Sequence, residues 1–207
     1  MQPLIMNFTG KKVVIAGAGR IAARKARVLS EEKAEITFIA PEVSKETEEL
    51  SEAWGYTIIR KKAEKSDFDG AILVILATND RLVNETLSRE LPPNQLVCVV
   101  DGQGEGNVIF PATVRRGMLQ IAVTSSGASP KLTRKLKKQL ENQFDHSWEP
   151  YAAFLAECRS LIKKLKLVET RKHELLWNIL DDEYRSSPEL QREMLLKLHE
   201  LQPGGLD

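Results

Sequence analysis

Residues 12–25 read KVVIAGAGRIAARK and carry the densest chemical information in the chain. The β-branched run Val13-Val14-Ile15 ends in Gly17-Ala18-Gly19-Arg20-Ile21-Ala22 and passes directly into a helix-forming sequence. This is G-x-G-x-x-A in strand–turn–helix context, the dinucleotide-binding fingerprint. Gly17 permits the tight turn, Gly19 lets the backbone approach a pyrophosphate, and Ala22 keeps the helix close to the sheet. Arg20 and Ile21 open the helix, whose free N–H groups and positive dipole end suit phosphate oxygens. The other reading of the same residues is a merely tight βα turn. An acid about 20 residues further on normally binds the ribose hydroxyls. Here the second strand ends in Ala40-Pro41 and the nearest acid, Glu42, lies past its end, so these residues leave NAD and NADP both open.

The elements that must position this turn follow from periodicity. Strands are expected at 35–40, 57–60, 71–77 and 96–100, alternating with helices from Arg20, from Ser44 and from Thr78-Asn79-Asp80 up to Leu91 before Pro92-Pro93. Ala71–Ala77 is apolar throughout, as in a parallel strand covered on both faces. The alternation predicts a Rossmann-type, doubly wound α/β sheet, with ligands beyond the strand C-terminal ends. That rule puts Gly17, Thr78, Asn79 and Asp101 on one rim.

Past Asp101 the pattern changes. Gly102–Gly106 reads as a connection, Asn107–Phe110 as a short strand, and Leu119–Thr124 as an alternating one. Ser125–Pro130 then leads into a helix with Leu132, Leu136 and Leu140 at i, i+4, i+8. From Trp148 onward the chain reads as helices, with Ser187 an N-cap and Pro188 at N1. The expected organisation is a nucleotide domain over 1–112, a small α+β dimerisation segment over 113–147, and an α-helical C-terminal domain over 148–207. The middle segment is too small to hide its own apolar face, so a second subunit is the expected cover.

Composition narrows the classes. The 207 residues carry a net charge of +1, which gives no reason to expect nucleic-acid binding. Cys98 and Cys158 lack disulfide or metal-ligand spacing, and no metal site is expected. No window approaches a membrane span and no signal pattern opens the chain, so a soluble cytoplasmic protein is expected. Lys131, Arg134, Lys135, Lys137 and Lys138 place five cations and no acid in eight residues. They are either an anion-facing helix or a solvated face, and Arg115 and Arg116 raise the same question.

The ordered set of Gly17–Lys25, Ile39-Ala40-Pro41, Ala77-Thr78-Asn79-Asp80, Val83-Asn84, Val99-Val100-Asp101, Phe110-Pro111-Ala112, Arg116-Gly117 and Ile121–Pro130 resembles the precorrin-2 dehydrogenase family. A larger relative of that family is the N-terminal half of siroheme synthase. The resemblance covers residues 5 to about 165, and the helical tail with Arg171–Leu176 is similar to the stand-alone bacterial members. It implies an NAD-dependent oxidoreductase that converts precorrin-2, an anionic tetrapyrrole, to sirohydrochlorin in siroheme or cobalamin synthesis. It also implies a homodimer whose central segment exchanges across the interface. Cofactor contacts are then expected at Gly17, Gly19, Arg20, Ile21, Ala22, Ala40, Pro41, Thr78 and Asn79. Asp101 matches the family's general base, although an Asp-Gly pair also simply opens a turn. Ser125 and His146 are the remaining catalytic candidates. Ser125 could cap or hold its turn instead, and a lone histidine is often structural, though imidazole titrates near neutrality. Two other readings stand beside this one. The first is a bifunctional enzyme that also inserts Fe²⁺ or Co²⁺ into sirohydrochlorin. The second is a non-catalytic NAD-binding regulatory module.

Overall fold

A computed structural model describes residues 1–100, 102 and 105–202. The chain divides into two compact units, Met1–Phe110 and Pro111–Asp207.

In the first unit, β1 (Lys12–Ala16), β2 (Glu35–Ile39), β3 (Thr57–Ile59), β4 (Leu73–Leu76) and β5 (Leu96–Val99) form one sheet in the order β3-β2-β1-β4-β5. Every pairing is parallel, with Val13 beside both Ile36 and Leu73. Successive side chains of a strand point to opposite faces. Val13 and Ile15 accordingly pack with α1 (Arg20–Ser30) and α2 (Lys45–Trp54) in one apolar cluster. Val14 and Ala16 pack with α3 (Arg81–Glu90) in another. With both faces covered, the uninterrupted apolar runs of β1 and β4 are what the sheet requires. The expected doubly wound sheet is the observed one. The chain builds outward from β1 to β3, then returns to β4 on the other side. The switch point therefore falls between β1 and β4, where the Gly17 turn and the Thr78 turn meet.

The α1 helix lies close to the sheet because Ala22, Ala23 and Ala26 face it, each fully buried. Lys25, one turn along, sends its ammonium over the Phe110 ring at 4.3 Å. Burial holds that amine below its ordinary range. Lys25 is thereby engaged with the core, not with the glycine turn.

One expected strand is absent. Asn107–Phe110 lies beside β5 without forming a strand, its Asn107 and Val108 N–H groups bonding the Val97 carbonyl. The Asn107 amide takes the place of a ladder, accepting from Val97 N–H at 2.7 Å and donating to Gln95 C=O at 2.6 Å.

The second unit opens with an antiparallel hairpin of β6 (Ala112–Arg116) and β7 (Leu119–Val123), turned at Gly117-Met118 with Gly117 at φ 55°. That is the first loop position, where a type II′ turn takes glycine. Helices α4 (Pro130–Gln143), α5 (Trp148–Lys164), α6 (Glu169–Asn178), α7 (Asp182–Ser186) and α8 (Pro188–Glu200) follow. Tyr151, Phe154, Cys158, Leu161 and Ile162 make the buried stripe of α5, closed by Leu165 just past its end and by Ile179 and Leu198. Ser187 caps α8 with Pro188 at its start, as its sequence predicts. The α4 helix buries no residue at all.

Candidate functional site

A groove of about 580 Å³ opens at the switch point. Gly17, Ala18 and Gly19 form one wall, Ala40 to Ser44 the second, and Ala77 to Asp80 with Val83 the third, with Lys62 and Ala63 at the edge.

Gly17 sits at φ 106°, and a Cβ there would lie 2.3 Å from the Ala77 carbonyl oxygen. Only glycine lets β1 turn this close to β4. Gly19 differs: φ is −90° and a Cβ would meet nothing within 4 Å. The space beside Gly19 belongs to the groove. Gly19 is also the N-cap of α1 and supplies no side-chain cap, and the first turn holds no acid. By contrast, Ser44 caps α2 and Asp80 caps α3. An uncapped helix start beside an open glycine offers N–H donors to an anion, which fits a pyrophosphate.

Residues absent from the fingerprint fix this turn. The Ala18 carbonyl accepts from Ser44 N–H at 3.0 Å and from the Thr47 hydroxyl at 2.8 Å. Thr47 is fully buried. Across the groove, fully buried Asn84 accepts from Thr78 N–H at 3.2 Å through its carbonyl and donates to Thr78 C=O at 3.2 Å. The Thr78 hydroxyl lies 2.7 Å from the same Asn84 oxygen. Asp80 accepts from Leu82 and Val83 N–H. Glu42, beyond β2 in the sequence, nevertheless lines the groove, where a carboxylate can accept from ribose hydroxyls.

Of the residues expected at a cofactor, Gly17, Gly19, Ala40, Pro41, Thr78 and Asn79 share this groove. Arg20 and Ile21 point outward from the first turn of α1, and Ala22 packs beneath it. Their contribution is through backbone and spacing.

Asp101 lies outside the described residues. The Ser125 oxygen accepts from Ser129 N–H at 3.0 Å and lies 3.1 Å from the Thr133 hydroxyl. It holds the turn that starts α4, with Ser126 at φ 51° and Gly127 at φ 87°. His146 is exposed between α4 and α5. Its neighbour Asp145 accepts from the Ser147 hydroxyl and N–H, which hold that carboxyl below its ordinary value. Ser125 and His146 thus stand at opposite ends of α4. A 14-residue helix separates them by about 20 Å. Arg116 is structural: its guanidinium donates to the carbonyls of Glu141 (3.2 Å), Asp145 (3.1 Å) and Arg115 (2.8 Å). Among the described residues no three His, Cys, Asp or Glu side chains gather as a metal site, and no helix is long and apolar enough to cross a membrane.

A parallel sheet with an open glycine turn at its switch point defines a dinucleotide-binding domain. Comparison with known proteins agrees. The family described as "Putative NAD(P)-binding" matches residues 4–112, "Sirohaem biosynthesis protein central" matches 116–143, and "SirC C-terminal domain" matches 148–194. The precorrin-2 dehydrogenase of Priestia megaterium is 37% identical over 198 residues, spanning 96% of this chain and 98% of its own. That of Bacillus subtilis (strain 168) is 37% identical over 145 residues, 70% of this chain and 90% of its own. Siroheme synthase of Azotobacter vinelandii is 33% identical over 84% of this chain, matching 38% of the longer protein. A solved structure, "SirC, precorrin-2 dehydrogenase", superimposes with a TM-score of 0.85 at 37% identity, covering 97% of this chain and 100% of that one. The chain belongs to the precorrin-2 dehydrogenase family, and its cofactor is NAD.

Proposed function

We propose that this chain catalyses NAD⁺-dependent dehydrogenation of precorrin-2 to sirohydrochlorin, as a cytoplasmic homodimer serving siroheme or cobalamin synthesis. The observation that carries the reading is the open Gly19 cradle at the switch point, in a chain that matches a precorrin-2 dehydrogenase along nearly its whole length.

The reaction removes one hydride and one proton from a reduced tetrapyrrole. When bound, NAD⁺ supplies the hydride acceptor. The Gly17–Gly19 turn and the α1 start hold the pyrophosphate, Glu42 takes ribose hydroxyls, and the Thr78–Asn79 turn forms the opposite wall. We assign the proton to Asp101. In sequence it directly follows Val100, whose N–H bonds the Leu76 carbonyl at 3.1 Å. That anchors the residue before it at the end of the sheet that carries the groove.

Ser125 and His146 receive separate tasks, because α4 holds them apart within one chain. Ser125 keeps the turn and, with its oxygen already accepting, has its own hydrogen to give to a substrate carboxylate. His146, on a fixed turn, contacts another part of the substrate. The dimer contact lies within residues 113–147, through their apolar side chains and not the α4 cations: Met118 is 73% exposed, Leu132 48% and Leu136 37%, an apolar surface suited to a second copy.

The test is a variant series. Asp101→Asn binds NAD⁺ normally and loses turnover by about 10²–10⁴, the worth of a positioned acid–base group. Ser125→Ala is milder. For His146→Ala, a higher KM alone marks binding, and a lower kcat at saturation marks proton transfer. Near-normal turnover of Asp101→Asn beside a dead His146→Ala reverses the assignment. A stable monomer in sedimentation at micromolar concentration overturns the dimer.

A further inference from the structure

Four of the five cations of α4 have no ion pair with a described residue. Lys131, Arg134, Lys135 and Lys138 recur at i, i+3, i+4 and i+7, so they share one face of the helix. All four are exposed, and among the described residues none has an acidic partner. The fifth cation, Lys137, lies off that face and pairs with Glu141 at 3.4 Å. Several helical cations elsewhere do pair with an acid within a turn, as in Lys45–Glu49, Arg171–Glu174 and Lys172–Glu169.

This arrangement works against its own helix. Like charges at i, i+3 and i, i+4 repel. The stripe also begins at the positive end of the helix dipole, where cations are disfavoured and no first-turn acid offsets them. With a chain charge of only +1, the stripe is a local feature and not the consequence of a basic protein. A multiply charged anion relieves both costs at once.

We propose that the Lys131/Arg134/Lys135/Lys138 face of α4 is a docking strip for the carboxylate arms of the tetrapyrrole, a binding subsite additional to the groove and to Ser125 and His146. The proposal rests on the dehydrogenase reading above. Lys131 and Lys138 are about 10 Å apart along the helix axis, a span that acetate and propionate arms on neighbouring pyrrole rings can bridge. A nearly flat anion with arms along its edge matches a straight row of cations better than a single phosphate does. The strip acts by charge and not by fixed geometry, so it serves affinity and capture more than alignment of the reacting carbon.

The experiment compares wild-type enzyme with a variant carrying Lys131→Gln, Arg134→Gln, Lys135→Gln and Lys138→Gln, and with a charge-preserving variant carrying Lys131→Arg, Lys135→Arg and Lys138→Arg. Uroporphyrin III, a stable porphyrin with acetate and propionate arms, is the binding probe, and coproporphyrin III, with fewer carboxylates, is its control. In the glutamine variant the KM for precorrin-2 and the Kd for uroporphyrin rise about 10–30-fold, the product of several modest exposed charge contacts. The salt dependence of uroporphyrin binding flattens, and the loss falls on KM more than on kcat. The arginine variant retains wild-type binding, coproporphyrin is less affected than uroporphyrin, and NAD⁺ affinity and sedimentation stay unchanged. Unchanged KM and uroporphyrin affinity in the glutamine variant overturn the proposal. So does a variant that merely becomes monomeric, or a wild type whose α4 cations drive flotation with phosphatidylglycerol vesicles while porphyrin binding ignores them. Absence of precorrin-2 turnover by the wild type refutes the dehydrogenase reading instead, and the uroporphyrin titration then still decides whether the strip binds carboxylates.

Discussion

The two glycines of the turn make opposite demands, and alanine separates them. At Gly17 a methyl group would sit 2.3 Å from the Ala77 oxygen and 2.6 Å from its carbon, both main-chain atoms at the end of buried β4. They cannot swing aside as a side chain could. The φ of 106° adds a backbone penalty of about 1–2 kcal/mol for a residue with a Cβ. Clash and strain together make Gly17→Ala a destabilisation of about 3 kcal/mol, a fall in Tm of roughly 6–12 °C for a chain of this size. Gly19→Ala meets neither obstacle, since φ is −90° and the Cβ faces open space. Its effect on stability stays within about 1 kcal/mol, the scale of an N-cap change. The added methyl instead occupies the room needed by the pyrophosphate and weakens NAD⁺ by roughly 100-fold, about 2.7 kcal/mol. Thermal unfolding and calorimetric titration on both variants read the two effects independently. A Gly19→Ala protein with wild-type NAD⁺ affinity refutes the cradle, and a Gly17→Ala protein with wild-type Tm refutes the close approach to β4.

Three further outcomes follow from the geometry. Asn84→Ala removes a fully buried amide that bonds both the N–H and C=O of Thr78. It should cost about 2–3 kcal/mol and weaken NAD⁺, whereas a stable variant with unchanged affinity means the Thr78 turn holds itself. Burial pushes the Cys158 thiol from 9.0 up to about 12, so it stays neutral in the folded chain while the unfolded chain ionises. That stability is complete below about pH 9 and is lost as pH rises toward 12, by roughly 1 kcal/mol per unit. Burial raises Tyr151 and Tyr184 in the same direction. Urea unfolding at pH 8 and pH 11 checks this, and an equal alkaline decline in Cys158→Ala excludes the thiol as its source. Arg116→Ala strips donors from the Glu141 and Asp145 carbonyls and should lower Tm by a few degrees without touching NAD⁺ affinity, which titration and unfolding measure together.

The sheet was legible because its signals are local. Apolar runs, a glycine turn, Asp80 as a cap and the Ser187-Pro188 restart each act within a few residues. The region after β5 was harder for a physical reason. Val108-Ile109-Phe110 has the composition of a strand, yet the Asn107 side chain takes over the ladder contacts of β5. The true first strand of the hairpin, Ala112–Arg116, buries only Val114 and reads as polar. In the groove, the glycines showed in the pattern, whereas Thr47 and Asn84 did not, because they work through tertiary hydrogen bonds to Ala18 and Thr78. The separation of Ser125 from His146 was not read from the sequence, because the leucine spacing spans only Leu132–Leu140 and the full α4, Pro130–Gln143, is what sets them apart.

The most direct measurement mixes purified protein, NAD⁺ and freshly made precorrin-2 without added metal, and follows NADH and sirohydrochlorin together. Both should accumulate in a one-to-one ratio, and Gly19→Asp should abolish both by placing a carboxylate against the pyrophosphate. Precorrin-2 left unchanged by the wild-type protein with saturating NAD⁺, or sirohydrochlorin formed without NADH, contradicts the dehydrogenase reading.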